Sequence, residues 1–347
     1  MNFFTSIKQT KLYFYLLKFF VIPIYNIFWE YVLNFKNKIV SILFQIKTLN
    51  KNYINLKKNS KILISNNIEI KNLSNKINSN LTQEFIEKKI ELIKSKEYSD
   101  YLINTSENQA QMYKPFSVDL WHFLNAELKK EILNFASSDL VIKTVTKYLG
   151  VFPRLTQCNL NLNIPNNEEQ AGSQFWHRDD FGYKGLDFFI AITPVDDDNG
   201  PLISIKKKDP LNIFYRVRNE IKSKRRGERG KISDEYFNYL IDKDNDESLI
   251  KLKGNSGTCL IIDSFRNYHK GGFCKKNYRI MLRLNFMTDD STADFNKSFY
   301  MKKDNFKKIV GKNDFFSEYL IRDKGIFYRN KIPKMLFSMY HALSIKK

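Results

Sequence analysis

Residues 278–287 read Tyr278-Arg279-Ile280-Met281-Leu282-Arg283-Leu284-Asn285-Phe286-Met287. Ile280, Leu282, Leu284 and Phe286 fall on one face of an extended chain, and Arg279, Met281, Arg283 and Asn285 on the other. Side chains of a β-strand alternate between faces, so this period of two predicts a strand. Its apolar face would pack on helices and its polar face would line a cavity. Reading outward, 257–263, 202–205 and 187–194 are short apolar runs, and Leu155, Cys158, Leu160 and Leu162 mark another strand before the turn at Ile164-Pro165-Asn166-Asn167. No helical patterns alternate with these strands. That argues against a parallel α/β sheet and favours an antiparallel jelly roll.

Upstream the period lengthens. Phe85, Ile86, Ile90, Leu92 and Ile93 recur at helical steps within 81–94. Residues 121–135 and 140–149 read as further helices, the second stopped by Gly150. The expected organisation is therefore a mostly β core with a helical layer and helical extensions at both ends. Residues 1–80 form a basic, aromatic extension, with Lys/Asn-rich stretches at 50–60 and 66–80 read as loose linker. Residues 81–290 form the central domain: helical layer 81–150, jelly-roll core 151–290, basic insertion 206–231. Residues 291–347 form a basic, aromatic C-terminal extension, with an amphipathic helix expected at 335–343.

The chain has 347 residues, with 57 Lys plus Arg against 37 Asp plus Glu, a net charge of +20. Such a balance points to nucleic acid, anionic lipid or an acidic substrate. A composition rich in Lys, Asn, Ile, Phe and Tyr, which AT-rich codons favour, produces the same charge. Cys158, Cys259 and Cys274 are widely spaced and odd in number, so no disulfide framework follows, their spacing argues against a Cys-based zinc site, and a reducing, cytoplasmic compartment is the default expectation. Residues 12–35 are rich in Leu, Phe, Tyr and Ile but interrupted by Lys18, Pro23 and Glu30. The uninterrupted run 19–28 is about half of the ~20 residues a spanning helix needs. Two readings stand: an interfacial segment giving peripheral membrane contact, or a helix packed on the core.

The chemistry concentrates in Phe175-Trp176-His177-Arg178-Asp179-Asp180. If this segment is a strand, His177 and Asp179 project to one side. An imidazole and a carboxylate so placed are two of the three ligands of a two-His, one-carboxylate iron site. His-x-Asp alone is a weak signal. The second segment, His269-Lys270-Gly271-Gly272 followed by Arg279, strengthens it. His269 would be the third ligand. Arg279 would grip the distal carboxylate of 2-oxoglutarate through its bidentate fork, with O2 at the remaining metal position. Arg283 would either hold cofactor or substrate or be a surface charge. His122 and His341, lacking partners at useful spacing, read as structural.

Taken in order, Tyr148-Leu149-Gly150, Gln174 with Phe175 to Asp179, Asn199-Gly200-Pro201-Leu202, 257–263 and 269–279 resemble the phytanoyl-CoA dioxygenase family of iron(II)/2-oxoglutarate oxygenases. The resemblance covers about 145–290. It implies a double-stranded β-helix (cupin-like) core, Fe(II) held by His177, Asp179 and His269, and Arg279 as the 2-oxoglutarate anchor. It also implies hydroxylation of an unactivated C–H bond. The sequence departs from the family after Leu202, where a long basic stretch follows, so acyl-CoA use does not carry over.

That stretch, 206–231, includes Arg225 and Arg226 and is read either as a lid over an anionic small-molecule, lipid- or glycan-linked substrate, or as a solvated helix. Two competing functions remain open at this level: an oxygenase acting on nucleic acid, and a membrane-surface binding protein that keeps the core without catalysis.

Overall fold

The computed structural model describes residues 34–56, 62–98, 100, 116–165, 172–179, 184–205, 249–265, 267–289, 303–311 and 314–322. Six antiparallel strands make the main sheet, in the spatial order β1 (Ile62–Ser65), β7 (Cys259–Ile262), β4 (Gly185–Ala191), β9 (Arg279–Met287), β3 (Arg154–Asn163) and β2 (Ser117–Asp119). A second antiparallel sheet is built from β6 (Leu249–Lys251), β5 (Ile203–Ile205) and β8 (His269–Lys270), in that order. Among the described residues neither sheet closes into a barrel. Helices α1 (Phe35–Lys47), α2 (Ile68–Asn80), α3 (Gln83–Lys94), α4 (Ala126–Ala136), α5 (Asp139–Leu149), α6 (Lys303–Val310) and α7 (Phe315–Leu320) complete the described elements. This is the antiparallel, helix-backed architecture that the strand pattern predicts.

Alternation along β9 and β4 separates two environments. Ile280, Leu282, Leu284 and Phe286 join Leu186, Phe188 and Ile190 in one buried cluster with helical residues such as Ile132, Val141, Val145 and Leu149. Each such side chain, fully buried, contributes about 1.5–3 kcal/mol. On the opposite face Phe189 and Met281 pack with Leu202, Leu252, Leu260 and Ile262, between the two sheets. Arg279, Arg283, Asn285 and Asp187 share this second face, because they share its parity.

Local signals explain most helix ends. Asn67, Thr82, Asn125 and Ser138 each accept a backbone N–H at the start of α2, α3, α4 and α5. Gly150 ends α5 in the left-handed region at φ 78°. The helix expected over 121–135 is split by such a cap: a 3-10 turn at Leu120–Phe123 precedes α4, and Asn125 restarts the chain.

Two expectations are corrected. Residues 66–80, read as linker, carry α2, whose Ile70, Leu73 and Ile77 are buried. The Lys/Asn content masked a helix that buries a narrow stripe. Just before it, β1 pairs with β7 at the sheet edge. The strand expected around His177 is a single bridge, His177 to His269, preceded by a 3-10 turn. The stretches 1–33, 206–248 (with Arg225 and Arg226) and 323–347 (with His341) lie outside the described residues. No described helix is long and apolar enough to cross a membrane.

Candidate metal centre

Two backbone segments bring the ligand set together. His177 and His269 exchange both backbone hydrogen bonds, N–H to O, at 3.0 and 2.9 Å. This bridge sets the two rings 4.4 Å apart between centroids. Asp179 is fixed two residues on, its N–H donating to the Ser264 carbonyl at 3.0 Å. One ligand atom from each of His177, Asp179 and His269 lies within 4.8 Å of the others. His269 and Asp179 are buried, and His177 is half-buried. The three residues predicted as ligands thus come together, although not through a shared strand. What aims His177 and Asp179 together is pairing with 264–269, not membership of a strand.

The imidazoles are oriented for coordination. Nδ1 of His177 lies 2.7 Å from the Phe175 carbonyl, and Nδ1 of His269 lies 3.1 Å from the Asn267 carbonyl. A carbonyl only accepts, so each Nδ1 donates, and Nε2 is the ring nitrogen left to meet a metal. The turn bearing His269 is itself braced. Asp263 accepts from the Phe265 N–H at 3.1 Å and from the Tyr148 hydroxyl of α5. Asn267 returns two bonds to the Asp263 carbonyl, at 3.0 and 2.8 Å. Tyr148 thus ties the helical layer to the turn that delivers His269.

Glycines make a second brace. A Cβ on Gly272 would meet the Pro201 carbonyl oxygen at 2.4 Å, and one on Gly200 (φ 69°) would meet the Phe273 carbonyl oxygen at 2.2 Å. The Asn199-Gly200-Pro201-Leu202 turn therefore crosses directly over Gly272, three residues after His269. Only glycine permits that approach.

Arg283, expected at the cofactor or on the surface, is engaged elsewhere. Its Nη2 donates to Asp179 Oδ2 and its Nε to Asp187 Oδ1, both at 2.7 Å. Asp187, completely buried, also accepts from Asn285 Nδ2 at 2.8 Å and from the Ser264 hydroxyl. Burial pushes the Asp179 carboxyl up, but Arg283 and then the two imidazoles outweigh it and bring it down to about 2. For Arg283, burial opposes the charge and the two carboxylates more than restore it, raising its pKa. This Asp179–Arg283–Asp187 chain is not legible in the sequence, because nothing in Asp187-Phe188-Phe189 marks a buried carboxylate with three partners.

Arg279 differs. It is 5% exposed, its Nη2 sits 3.5 Å from Asn163 Oδ1, and its Nε and Nη1 have no hydrogen-bond partner. Burial lowers its pKa. A buried guanidinium with two unused donors lacks an anion of matching shape. Arg279 and Arg283 share one face of β9, four residues apart, or roughly 13 Å along the strand. The donor set suits a divalent transition metal, and the open guanidinium suits a carboxylate, so the residues fit both iron(II) and 2-oxoglutarate.

No protein-family model matches the sequence, and no curated protein matches it. Solved structures of related shape include EctD from S. alaskensis with 2-oxoglutarate and 5-hydroxyectoine: 15% identity, 68% of this chain, 77% of that chain, TM-score 0.42. Another is the non-heme monooxygenase ThoJ as its Ni complex, at 9% identity over 82% of this chain and 94% of that one, TM-score 0.40. A third is SnoN, a non-heme alpha ketoglutarate dependent epimerase from nogalamycin biosynthesis, at 16% identity over 50% and 62%, TM-score 0.32.

Proposed function

We propose that this protein is a non-haem iron(II), 2-oxoglutarate-dependent dioxygenase that hydroxylates an anionic small-molecule, lipid- or glycan-linked substrate. One coincidence carries the reading. Three metal donors converge within 4.8 Å, and a buried guanidinium with two open donors faces the same inter-sheet space. Two imidazoles and one carboxylate would hold iron(II) on one side and leave positions for co-substrate and O2. Once bound, iron(II) and 2-oxoglutarate supply the oxidising chemistry, in which O2 is consumed, succinate and carbon dioxide leave, and a C–H bond becomes C–OH.

The chain's own residues bind and orient. His177 and His269 present Nε2 because backbone carbonyls fix their tautomers. Arg283, backed by Asp187, is a positioning residue that holds Asp179 ionised with one oxygen turned to the metal side. Arg279 would bind the distal carboxylate of 2-oxoglutarate through its two free N–H groups. The ordered motifs from Tyr148 to Arg279 support a place near the phytanoyl-CoA dioxygenase family. The anionic substrate class rests on the basic sequence around Arg225 and Arg226.

The test is anaerobic titration of metal-free protein with iron(II), then 2-oxoglutarate. A weak visible charge-transfer band should form, and O2 should then yield succinate. The band should vanish in His177→Ala. A wild-type protein that binds iron and 2-oxoglutarate without a band or succinate would leave only a metal-binding β protein. With a substrate in hand, Arg225→Glu/Arg226→Glu should raise KM and blunt its salt dependence, and unchanged kinetics would remove the lid.

A further inference from the structure

Helix α1 carries an apolar face on each side. Val40 and Phe44 enter the core, where Phe44 meets Phe152 and Phe316 edge-on at 5.5 and 5.1 Å. The opposite face presents Phe35, Ile39, Ile42, Leu43 and Ile46, with Leu49 just beyond, at 44–74% exposure. Spacings of three and four put these on one stripe. Single exposed aliphatics are ordinary, but a contiguous row of six marks a contact surface.

The helix is held firmly with this stripe outward. Asn37 donates to Asp289 Oδ2 at 2.8 Å and accepts from the Tyr319 hydroxyl at 2.7 Å. At the other end, the buried Lys143 ammonium of α5 donates to the carbonyls of Thr48, Leu49 and Lys51. A cation there satisfies carbonyls of the turn that follows α1 and lies just past its C-terminal end, where it favours the helix dipole.

Charge identifies the occupant. By helical position, Lys36 and Lys47 lie on one flank of the stripe and Lys38 on the other. Between Glu30 and Glu69 the sequence has no Asp or Glu and seven Lys: 36, 38, 47, 51, 57, 58 and 61. The first 68 residues hold ten Lys, no Arg and one acidic residue. Asp289 and Asp314 approach α1 from its core side, and Lys36 and Lys47 lie over the rings of Tyr319 and Phe316, but α1 itself carries no acid. An apolar stripe bordered by lysines on an acid-free helix matches an anionic bilayer surface: aliphatic tips enter the acyl boundary and lysines reach toward the headgroups.

We infer that the outer face of α1 is a docking surface for anionic lipid, which seats the protein in the plane of a membrane. The site is built from α1 and the turn just after it and is independent of the metal centre. The full chain should be mixed with vesicles of phosphatidylcholine with 30% phosphatidylglycerol, or of phosphatidylcholine alone, and sedimented. Binding to the anionic vesicles should be at least tenfold tighter than to the neutral ones and should weaken as salt rises from 0.1 to 0.5 M. Ile42→Glu/Ile46→Glu should cut it at least tenfold with an unchanged melting temperature and unchanged iron titration. If that variant accumulates poorly, Leu43→Gln/Ile46→Gln, which leaves charge alone, should still lose several-fold. Several results would overturn the inference: no wild-type binding, equal binding to neutral vesicles, or full binding by the variants. So would a wild-type dimer that the variants convert to monomer, since a second copy would then cover the stripe.

Discussion

Replacing Arg283 with Met should destabilise the metal-free protein by an amount that depends on pH in a particular direction. The guanidinium is shared by Asp179 and Asp187, with side chains 9% and 0% exposed. Removing one partner of a buried ion pair costs about 3–5 kcal/mol, because the other charge is left uncompensated. Asp187 keeps its bonds from Asn285 and Ser264, which places the expected cost near the lower end, about 3 kcal/mol. In the wild type, Asp179 is pulled down to about 2, below an unfolded value of about 3.9. A depressed carboxyl contributes stability that is fully present above the unfolded value and is lost as pH falls toward the folded one. In the variant, burial still pushes Asp179 up and only the two imidazoles oppose it, so the folded carboxyl titrates higher than in the wild type. Its ionised form then weakens the fold at neutral pH, and protonation relieves it. The gap between wild type and variant should therefore be widest at pH 7 and narrow by pH 4.5. Urea unfolding at both pH values reads it directly. A gap of equal size at the two pH values, or no gap at pH 7, would refute the view that Arg283 acts by neutralising these carboxylates.

Arg279→Met should leave the unliganded protein as stable as wild type or more so in thermal melts, since it removes a buried charge without a partner. The same change should weaken 2-oxoglutarate binding by about 10–100-fold, the worth of a charge-assisted contact, read by calorimetry with iron present. A large loss of stability with intact binding would mean that Arg279 is a structural residue. Gly272→Ala should cost about 1–3 kcal/mol in denaturant unfolding, because its Cβ would meet the Pro201 carbonyl oxygen at 2.4 Å. It should also weaken cobalt(II) binding through the displaced His269, and a variant with native metal affinity would show that the crossing does not position the ligand.

Local chemistry made part of this protein readable. The period of two in 279–287 is a property of adjacent residues, so strand, apolar face and polar face follow without knowledge of any partner. Gly150 acts within a few bonds, and α5 ends where this residue predicts. His177, Asp179, His269 and Arg279 could be nominated because their residue types and order suggest one chemistry. Pairing with distant segments decided the rest. Residues 66–80 look like polar linker until α2 meets the sheet, and Asn and Lys on its outer face conceal the buried stripe. Arg283 and Arg279 occupy equivalent positions on one strand face, and no rule of sequence separates them. They differ because Asp179 and Asp187, from two other segments, converge on one guanidinium and leave the other bare. Electrostatic partnership of this kind depends on contacts across about a hundred residues, which the order of amino acids encodes only through the finished fold.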